Sequence, residues 1–238
     1  MRLGVLITGN TTGTLRQTYG GFEDMFAGLF SSAGCSFRYR CYEVLRGCFP
    51  EDASDCDAWL ITGSPSSVYE NLPWMQRLQT LILTIVEQQQ PLIGICFGHQ
   101  IIAVALGGRV EKSSEGWGLG LHTYQVESGV VSELDGRAEL NINAMHEDQV
   151  VVRPSTAKVF ASSSFCPNAG LIYGENVITF QAHPEFRCDY TKAQMLGLRG
   201  KVFPAEQVDQ ILAVRDHSDV KPDAGLIARW LCARITAE

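Results

Sequence analysis

The sequence predicts an α/β protein with three layers, in which a parallel sheet is covered by helices on both faces. Two observations indicate this fold class. Through the first half of the chain, short apolar runs bounded by turn residues alternate with amphipathic stretches of helical length. At residues 92–95, one such run meets a cysteine between two glycines and then becomes a helical pattern. In a parallel sheet the functional site lies at the carboxyl ends of the strands, so Cys96 is expected there.

The elements of the first half follow one another in strand and helix order. Residues 9–13, after the first strand, are expected to form a connection near the site, because they lack the Gly-Lys-Ser/Thr ending of a phosphate loop. Pro73 is favoured in the first turn of a helix, and Pro91 ends that helix. The predicted elements are a strand at 2–8, a helix at 21–33, strands at 36–45 and 58–62, a helix from Pro73 to about residue 89, and the strand that enters Cys96.

The second half is rich in short strands and ends in helices. The predicted strands are 109–112, 118–127, 138–142, 149–153, 158–162, 169–173 and 177–181, and the predicted helices are 190–198, 204–214 and 223–235. The chain shows no repeat, linker or low-complexity segment. We therefore expect a single domain at 1–238 with a helical C-terminal extension at about 189–238.

The composition is that of an ordinary globular protein, with 238 residues of which 45% are hydrophobic and 19% are charged. The formal net charge is -7, and no local cluster of Lys and Arg offsets it, which argues against binding to nucleic acid or to an anionic membrane. The apolar runs are too short for a signal peptide or a membrane span. We expect a cytoplasmic protein whose partner is a small-molecule substrate or another protein.

Eight cysteines are scattered along a chain that is far longer than the small domains that disulfides stabilise. No Cys-x-x-Cys pair occurs, so neither a zinc site nor thioredoxin-type chemistry is indicated. Free thiols are expected in a reducing compartment, and no metal or cofactor is predicted. Cys96 differs from the other seven cysteines only in its context.

Cys96 has the surroundings of an activated nucleophile. Gly94 and Gly98 allow the chain to reverse tightly, which places Cys96 in a strained position above the sheet. A helix that starts near Gly98 brings partial positive charge to the sulfur and offers free N–H groups to an oxyanion. The motif alone fits equally well a buried cysteine that only packs, because free cysteines are among the most buried residues.

A matching base lies at the end of the predicted strand 177–181. In an extended chain residues two apart point to the same side, so His183 and Glu185 are expected to be neighbours, with Pro184 stiffening the link. A carboxylate on one ring nitrogen leaves the other nitrogen to take a proton from a thiol. By itself His-Pro-Glu also fits a polar turn, but its combination with Cys96 favours a nucleophile, a base and an orienting acid.

Residues 94–100 (Gly-Ile-Cys-Phe-Gly-His-Gln) and 181–185 (Gln-Ala-His-Pro-Glu) resemble the class I glutamine amidotransferase family, in which a Cys-His-Glu triad hydrolyses a γ-glutamyl amide. Residues 61–69 resemble the family's oxyanion loop, and residues 145–150 are similar to a segment of the GMP synthetase branch. The four motifs stand in the family's order. The resemblance covers about three quarters of the chain and implies a three-layer, flavodoxin-like fold with a nucleophile elbow.

An α/β-hydrolase with a cysteine nucleophile also carries Gly-x-Cys-x-Gly. In that fold the acid precedes the histidine along the chain, whereas Glu185 follows His183 here. The order favours the amidotransferase.

The resemblance implies that Cys96 attacks the γ-carbonyl to form a thioester, that His183 passes the thiol proton to the leaving amine, and that Glu185 orients His183. The other implied site residues are Gly63 and Phe97, as backbone oxyanion donors, and Gln100, His146 and Asp148, as substrate-binding residues. For His146 and Asp148 the alternative is a solvated loop before the strand 149–153. His99 and Cys188 lie near the motifs and are expected to be structural.

Three functions remain open from the sequence. The first is a glutaminase that supplies ammonia to a separate synthetase chain, since this sequence carries no ATP-binding loop. The second is a γ-glutamyl peptidase on glutathione-type compounds, because the helical tail resembles standalone members of the family. The third is a non-catalytic binding or regulatory protein, against which the complete set Cys96, His183 and Glu185 argues.

Overall fold

The computed structural model describes residues 1–134, 136–215 and 219–236. The described strands are β1 (Arg2–Leu6), β2 (Arg38–Tyr42), β3 (Ala58–Ile61), β4 (Leu92–Ile95), β5 (Arg109–Lys112), β6 (Gly118–Val126), β7 (Glu139–His146), β8 (Asp148–Val152), β9 (Ala157–Ser162), β10 (Gly170–Tyr173) and β11 (Val177–Phe180). The described helices are α1 (Gly13–Tyr19), α2 (Phe22–Ser32), α3 (Pro73–Glu87), α4 (Phe97–Ala105), α5 (Cys188–Leu198), α6 (Ala205–Arg215) and α7 (Ala224–Thr236).

Nine strands form one sheet in the order β2-β1-β3-β4-β11-β10-β9-β6-β7, and β5 pairs with β8 in a second sheet. The first five strands in this order are parallel, and their 2-1-3-4 beginning is the flavodoxin-like order. The predicted parallel α/β sheet is therefore confirmed. The strand-rich second half extends the same sheet with antiparallel neighbours.

Helices cover both faces of the parallel strands. Successive strand residues point to opposite faces, so Leu60 packs in a core with α2 and α7, whereas Ile61 packs in a core with α3 and α4. Both side chains are wholly buried. The expected three layers follow from this alternation.

The long hairpin of β6 and β7 brings the far edge of the sheet back to the carboxyl end of β11. Its contact point is an isolated antiparallel bridge between Asn143 and His183, in which the His183 N–H donates to the Asn143 carbonyl at 2.8 Å. The hairpin therefore forms one wall of the region around Cys96.

One helix was not predicted, and one strand was predicted too short. The connection expected at 9–13 is a loop up to Thr12, but it leads into α1, which was missed because none of its residues is fully buried and its sequence shows no long apolar stripe. The strand predicted at 138–142 continues to His146, because its pairing with β6 runs up to Gly118. His146 therefore lies on a strand, and Asp148 begins the next one, so the solvated-loop alternative for these two residues was also wrong.

The expectation of free thiols fails for two of the eight cysteines. Cys35, after α2, forms a disulfide with Cys232 of α7 across 197 residues of sequence. The two cysteines meet because α2 and α7 pack side by side on the same face of the sheet. Spacing along the chain carries no information about such a pairing.

The predicted helical extension at about 189–238 contains α5, α6 and α7, while 216–218 and 237–238 lie outside the described residues. No helix in the described part of the chain is long and apolar enough to cross a membrane.

Candidate active site

Cys96 occupies the turn between β4 and α4 with a left-handed backbone, at φ 53° and ψ −103°. For a residue with a Cβ this is a strained conformation that costs about 1–3 kcal/mol, and such strain is found mainly at functional sites. The backbone is held there because the Cys96 N–H donates to Phe180 of β11 at 2.8 Å, and its carbonyl accepts from Gln100 at 3.0 Å. The turn has the geometry of a nucleophile elbow.

The two glycines around Cys96 are required by close packing. A Cβ on Gly94 would lie 2.7 Å from the carbonyl oxygen of Gly98, and a Cβ on Gly98 would clash with the carbonyl oxygen of Ile61. Both contacts are with backbone, which has little room to move. The glycines therefore allow α4 to begin directly against the ends of β3 and β4.

His183 and Glu185 are joined by a hydrogen bond of 2.7 Å between Nδ1 and Oε1, and both side chains are buried. The sequence-based expectation placed them in extended chain. Instead the chain turns after β11, and the Phe186 N–H donates to the His183 carbonyl at 3.3 Å, with Pro184 at the position of a β-turn that proline favours. The His183 and Glu185 side chains are therefore neighbours because the chain turns between them.

The electrostatics of the site favour a protonated His183. Burial lowers the pKa of this imidazole, but the charges of Glu185 and Cys96 and the hydrogen bonds with both of them outweigh burial and raise it to about 10. Since Nδ1 is bonded to Glu185, Nε2 is the ring nitrogen that faces the Cys96 side chain. A thiolate paired with an imidazolium is the arrangement that activates a cysteine.

Phe186 supports one face of the His183 ring. The two rings are stacked, with centroids 3.9 Å apart and planes 5° apart. The Phe186 carbonyl in turn accepts a 2.7 Å hydrogen bond from the Asn143 side chain. This support was missed in the sequence, although an aromatic residue directly after His-Pro-Glu is the signal that could have indicated it.

Gly63 follows β3 and borders both reactive side chains. A Cβ built on Gly63 would lie 3.0 Å from Cε1 of His183 and 3.7 Å from Cβ of Cys96. The Thr8 hydroxyl donates to the carbonyls of Thr62 and Gly63, at 2.9 and 3.0 Å, and so holds this segment against β1. Thr8 was also missed, because a threonine at a strand end carries no distinctive pattern.

Two backbone donors stand next to Cys96. No hydrogen bond among the described residues uses the N–H of Gly63 or of Phe97. Phe97 is the first residue of α4, where N–H groups lack intrahelical partners and the helix dipole is positive. The Gly98 N–H, by contrast, donates to the Thr62 carbonyl at 3.2 Å and thus fixes the spacing between α4 and the segment after β3.

Gln100, His146 and Asp148 lie close together. Gln100 is one turn after Cys96 on α4, His146 ends β7, and Asp148 begins β8. Gln100 Nε2 donates to the Asp148 carbonyl at 2.9 Å and to Gln181 at 3.1 Å, so only its Oε1 can serve a ligand. His146 Nδ1 lies 3.1 Å from the same Asp148 carbonyl, and burial lowers the pKa of His146 to about 3, so its ring is neutral. The Asp148 carboxylate accepts from Ser67 and Tyr69 in the segment after β3.

His99 lies in the core, as expected of a structural residue. Its Nδ1 is 2.7 Å from the Thr179 hydroxyl, and burial lowers its pKa to about 3. Cys188 begins α5 and is exposed. Among the residues that the structure describes, no group of three or more His, Cys, Asp or Glu side chains is placed to hold a metal ion.

The fold and the elbow define an α/β protein with a cysteine at the carboxyl edge of a parallel sheet, next to a buried histidine and glutamate. The chain belongs to the glutamine amidotransferase class-I family, whose model matches residues 24–200.

Relatives in this family are named for two kinds of activity. The chain is 28% identical over 215 residues to gamma-glutamyl peptidase 3 of Arabidopsis thaliana, with 87% of this chain and 84% of the relative covered. It is 32% identical over 139 residues to one subunit of the glutamine-hydrolyzing GMP synthase of Saccharolobus solfataricus, with 58% and 71% covered. A glutamine amidotransferase structure from Thermotoga maritima matches the fold with a TM-score of 0.74 at 18% identity, covering 99% of this chain and 98% of that one.

Proposed function

We propose that the protein hydrolyses the γ-amide bond of γ-glutamyl compounds through a thioester on Cys96. One observation carries the proposal: His183 is hydrogen-bonded to Glu185 at 2.7 Å on one side and borders Cys96 and Gly63 on the other. Family membership supports the same chemistry.

In the first step the Cys96 sulfur bonds to the γ-carbonyl carbon, and the thiol proton resides on His183. Collapse of the tetrahedral intermediate breaks the C–N bond, and His183 gives that proton to the leaving amine. In the second step His183 takes a proton from water, whose oxygen attacks the thioester. The C–S bond then breaks, His183 returns its proton to the Cys96 sulfur, and glutamate leaves the restored thiol. Glu185 keeps the ring oriented and stabilises its protonated form.

The developing oxyanion is proposed to bind between the N–H groups of Gly63 and Phe97. Both groups are close to the Cys96 turn, and neither is used elsewhere in the described chain. Loss of one such donor typically costs about two to three orders of magnitude in rate. Of the predicted substrate-binding residues, Gln100 is proposed to contact the amino-acid end of the substrate through Oε1. His146 and Asp148 border the same place with side chains that are already hydrogen-bonded.

The leaving amine distinguishes two candidate functions. If it is ammonia, the chain is a glutaminase that supplies a separate synthetase, as the name of the Saccharolobus solfataricus relative suggests. If it is an amino acid or peptide, the chain is a γ-glutamyl peptidase. The second candidate is favoured by the alignment with gamma-glutamyl peptidase 3, which covers 87% of this chain against 58% for the GMP synthase relative.

The test is glutamate release by the purified protein alone, with glutamine, glutathione and a γ-glutamyl dipeptide as substrates. Release from the peptides at a kcat/KM well above that for glutamine supports the peptidase. Weak release from glutamine that rises when a synthetase chain is added supports the ammonia supplier. Cys96→Ala is the matched control, and full turnover by that variant would overturn the mechanism. If the wild-type protein releases no glutamate from any of these substrates, the non-catalytic alternative stands.

We further propose that residues 1–238 form a single domain located in the cytoplasm. The helical extension shares the core of the sheet, since Trp230 and Leu231 of α7 pack in the same cluster as α2. Six of the eight cysteines form no disulfide within the described chain, which favours a reducing compartment, whereas the disulfide between Cys35 and Cys232 does not.

A further inference from the structure

We infer that Asp148 is a positioning residue that sets the oxyanion site by clamping the segment after β3, an inference that rests on the proposed function. This segment, residues 62–72 between β3 and α3, is called the β3–α3 loop. It carries Gly63 at its start and Ser67 and Tyr69 further on. The position of the Gly63 N–H depends on the path of this loop.

Both oxygens of the Asp148 carboxylate are bonded to the loop. Oδ2 accepts from the Ser67 hydroxyl at 2.5 Å, and Oδ1 accepts from the Tyr69 hydroxyl at 2.9 Å. A carboxylate that receives two hydroxyl donors forms charge-assisted hydrogen bonds, which are stronger than neutral ones. Tyr69 itself is half-exposed, so its ring has little packing of its own to hold it.

The backbone of Asp148 is bonded to the catalytic side of the molecule. Its carbonyl accepts from Gln100, one turn after Cys96 on α4, and lies 3.1 Å from His146 Nδ1 at the end of β7. A carbonyl can only accept, so His146 carries its proton on Nδ1. Asp148 thus contacts the β3–α3 loop through its carboxylate, and α4 and β7 through its backbone carbonyl.

The start and the middle of the β3–α3 loop are held by different residues. Thr8 bonds the loop at Thr62 and Gly63, while Asp148 bonds it at Ser67 and Tyr69. The oxyanion donors, Gly63 on the loop and Phe97 on α4, belong to different segments. Their separation therefore depends on the hydrogen bonds between the loop and α4. The Gly98 N–H bonds the Thr62 carbonyl at the start of the loop, and Asp148 adds a second connection further along it. A binding residue would instead keep its carboxylate available to the substrate.

The test compares Asp148→Ala with Ser67→Ala/Tyr69→Phe, which removes the same hydrogen bonds from the loop side. We expect each to lower kcat by about ten- to a hundredfold with KM nearly unchanged, because misplacing a catalytic group by about 1 Å costs about a hundredfold. The triple variant should be no worse than either parent, since all act on one linkage. Asp148→Asn should retain most of kcat, because an amide can accept from one hydroxyl and donate to the other.

Glu147→Ala is the matched control, because this neighbouring carboxylate pairs with Lys112 at 2.8 Å and, among the described residues, forms no hydrogen bond with the loop. Alkylation of Cys96 by iodoacetamide should be unchanged in Asp148→Ala, because that reaction forms no oxyanion. A rise in KM with unchanged kcat in Asp148→Ala, and no effect of the loop variants, would show that Asp148 binds substrate and would overturn the inference.

Hydrogen–deuterium exchange tests the inference without relying on enzymatic activity. We expect faster exchange of the amides at 62–72 in Asp148→Ala and in Ser67→Ala/Tyr69→Phe, and wild-type exchange in Glu147→Ala. Unchanged exchange in the first two variants would refute the clamp, even if the wild-type protein proves to have no γ-glutamyl hydrolase activity. That lack of activity would refute the proposed function alone.

Discussion

Nδ1 of His183 lies 2.7 Å from Oε1 of Glu185, and the two side chains are only 4% and 1% exposed. Glu185 Oε2 is buried without a hydrogen-bond partner among the described residues. A buried carboxylate is costly unless a positive partner compensates for it. The protonated imidazole of His183 is that partner, and the pair explains why the pKa of His183 is raised despite its burial.

The pH dependence of activity should follow from this pair. The proposed leaving-group acid is protonated His183, so activity should fall at alkaline pH as the imidazole loses its proton near pH 10. Glu185→Gln removes the charge that raises the pKa of His183. We expect the alkaline limb of kcat/KM to move to lower pH in this variant, together with a lower maximum. Initial rates between pH 5 and about 10.5 measure the shift. An unmoved alkaline limb would mean that another group titrates there.

Gly63 has no room for a side chain. In Gly63→Ala the new methyl group would lie 3.0 Å from Cε1 of His183, so the ring or the oxyanion site must move. We expect kcat to fall by about ten- to a hundredfold with the thermal midpoint little changed. Gly28→Ala in α2 is the control, because a Cβ there meets no atom within 4 Å. Equal kcat in the two variants would argue against a role of Gly63 in the site.

Cys96 should be the most reactive thiol. Burial raises the pKa of Cys166 to about 12 and also raises that of Cys56, so these thiols stay protonated near neutral pH. Cys96 is paired with His183 and should be alkylated first by a glutamine-analogue electrophile. Peptide mass spectrometry after partial labelling measures the order. His183→Ala should slow labelling of Cys96 but not of exposed Cys48, and uniform labelling of all thiols would count against an activated site.

The disulfide between Cys35 and Cys232 should stabilise the fold through α2 and α7. Removing a native disulfide typically costs about 2–5 kcal/mol of unfolding free energy, mainly because the unfolded chain is no longer constrained. We expect Cys232→Ser to lower the urea midpoint under oxidising conditions. With reductant present the variant and the wild type should unfold at similar urea concentrations. A wild-type midpoint that does not respond to reductant would show that the thiols are not paired in solution.

Much of the fold and of the candidate site could be predicted from local patterns. The strand–turn–helix around Cys96 was predicted because its glycines and its change of hydrophobic period are local features. The helix α1 could not be predicted, because it buries no residue and so has no periodic face. The stacking of Phe186 on His183 and the bonds of Thr8 to Gly63 were missed for another reason, since ordinary residue types carry these contacts.

By itself the sequence determined the parallel α/β fold, the position of Cys96 at a strand end, and the family of the chain. These properties depend on hydrophobic period, on glycine and proline, and on motifs that are contiguous in the chain. Only the tertiary structure decided that Asp148 bonds the β3–α3 loop rather than standing free, and that Cys35 pairs with Cys232. Those partners are 79, 81 and 197 residues apart along the chain, and only the packing of strands and helices brings them together.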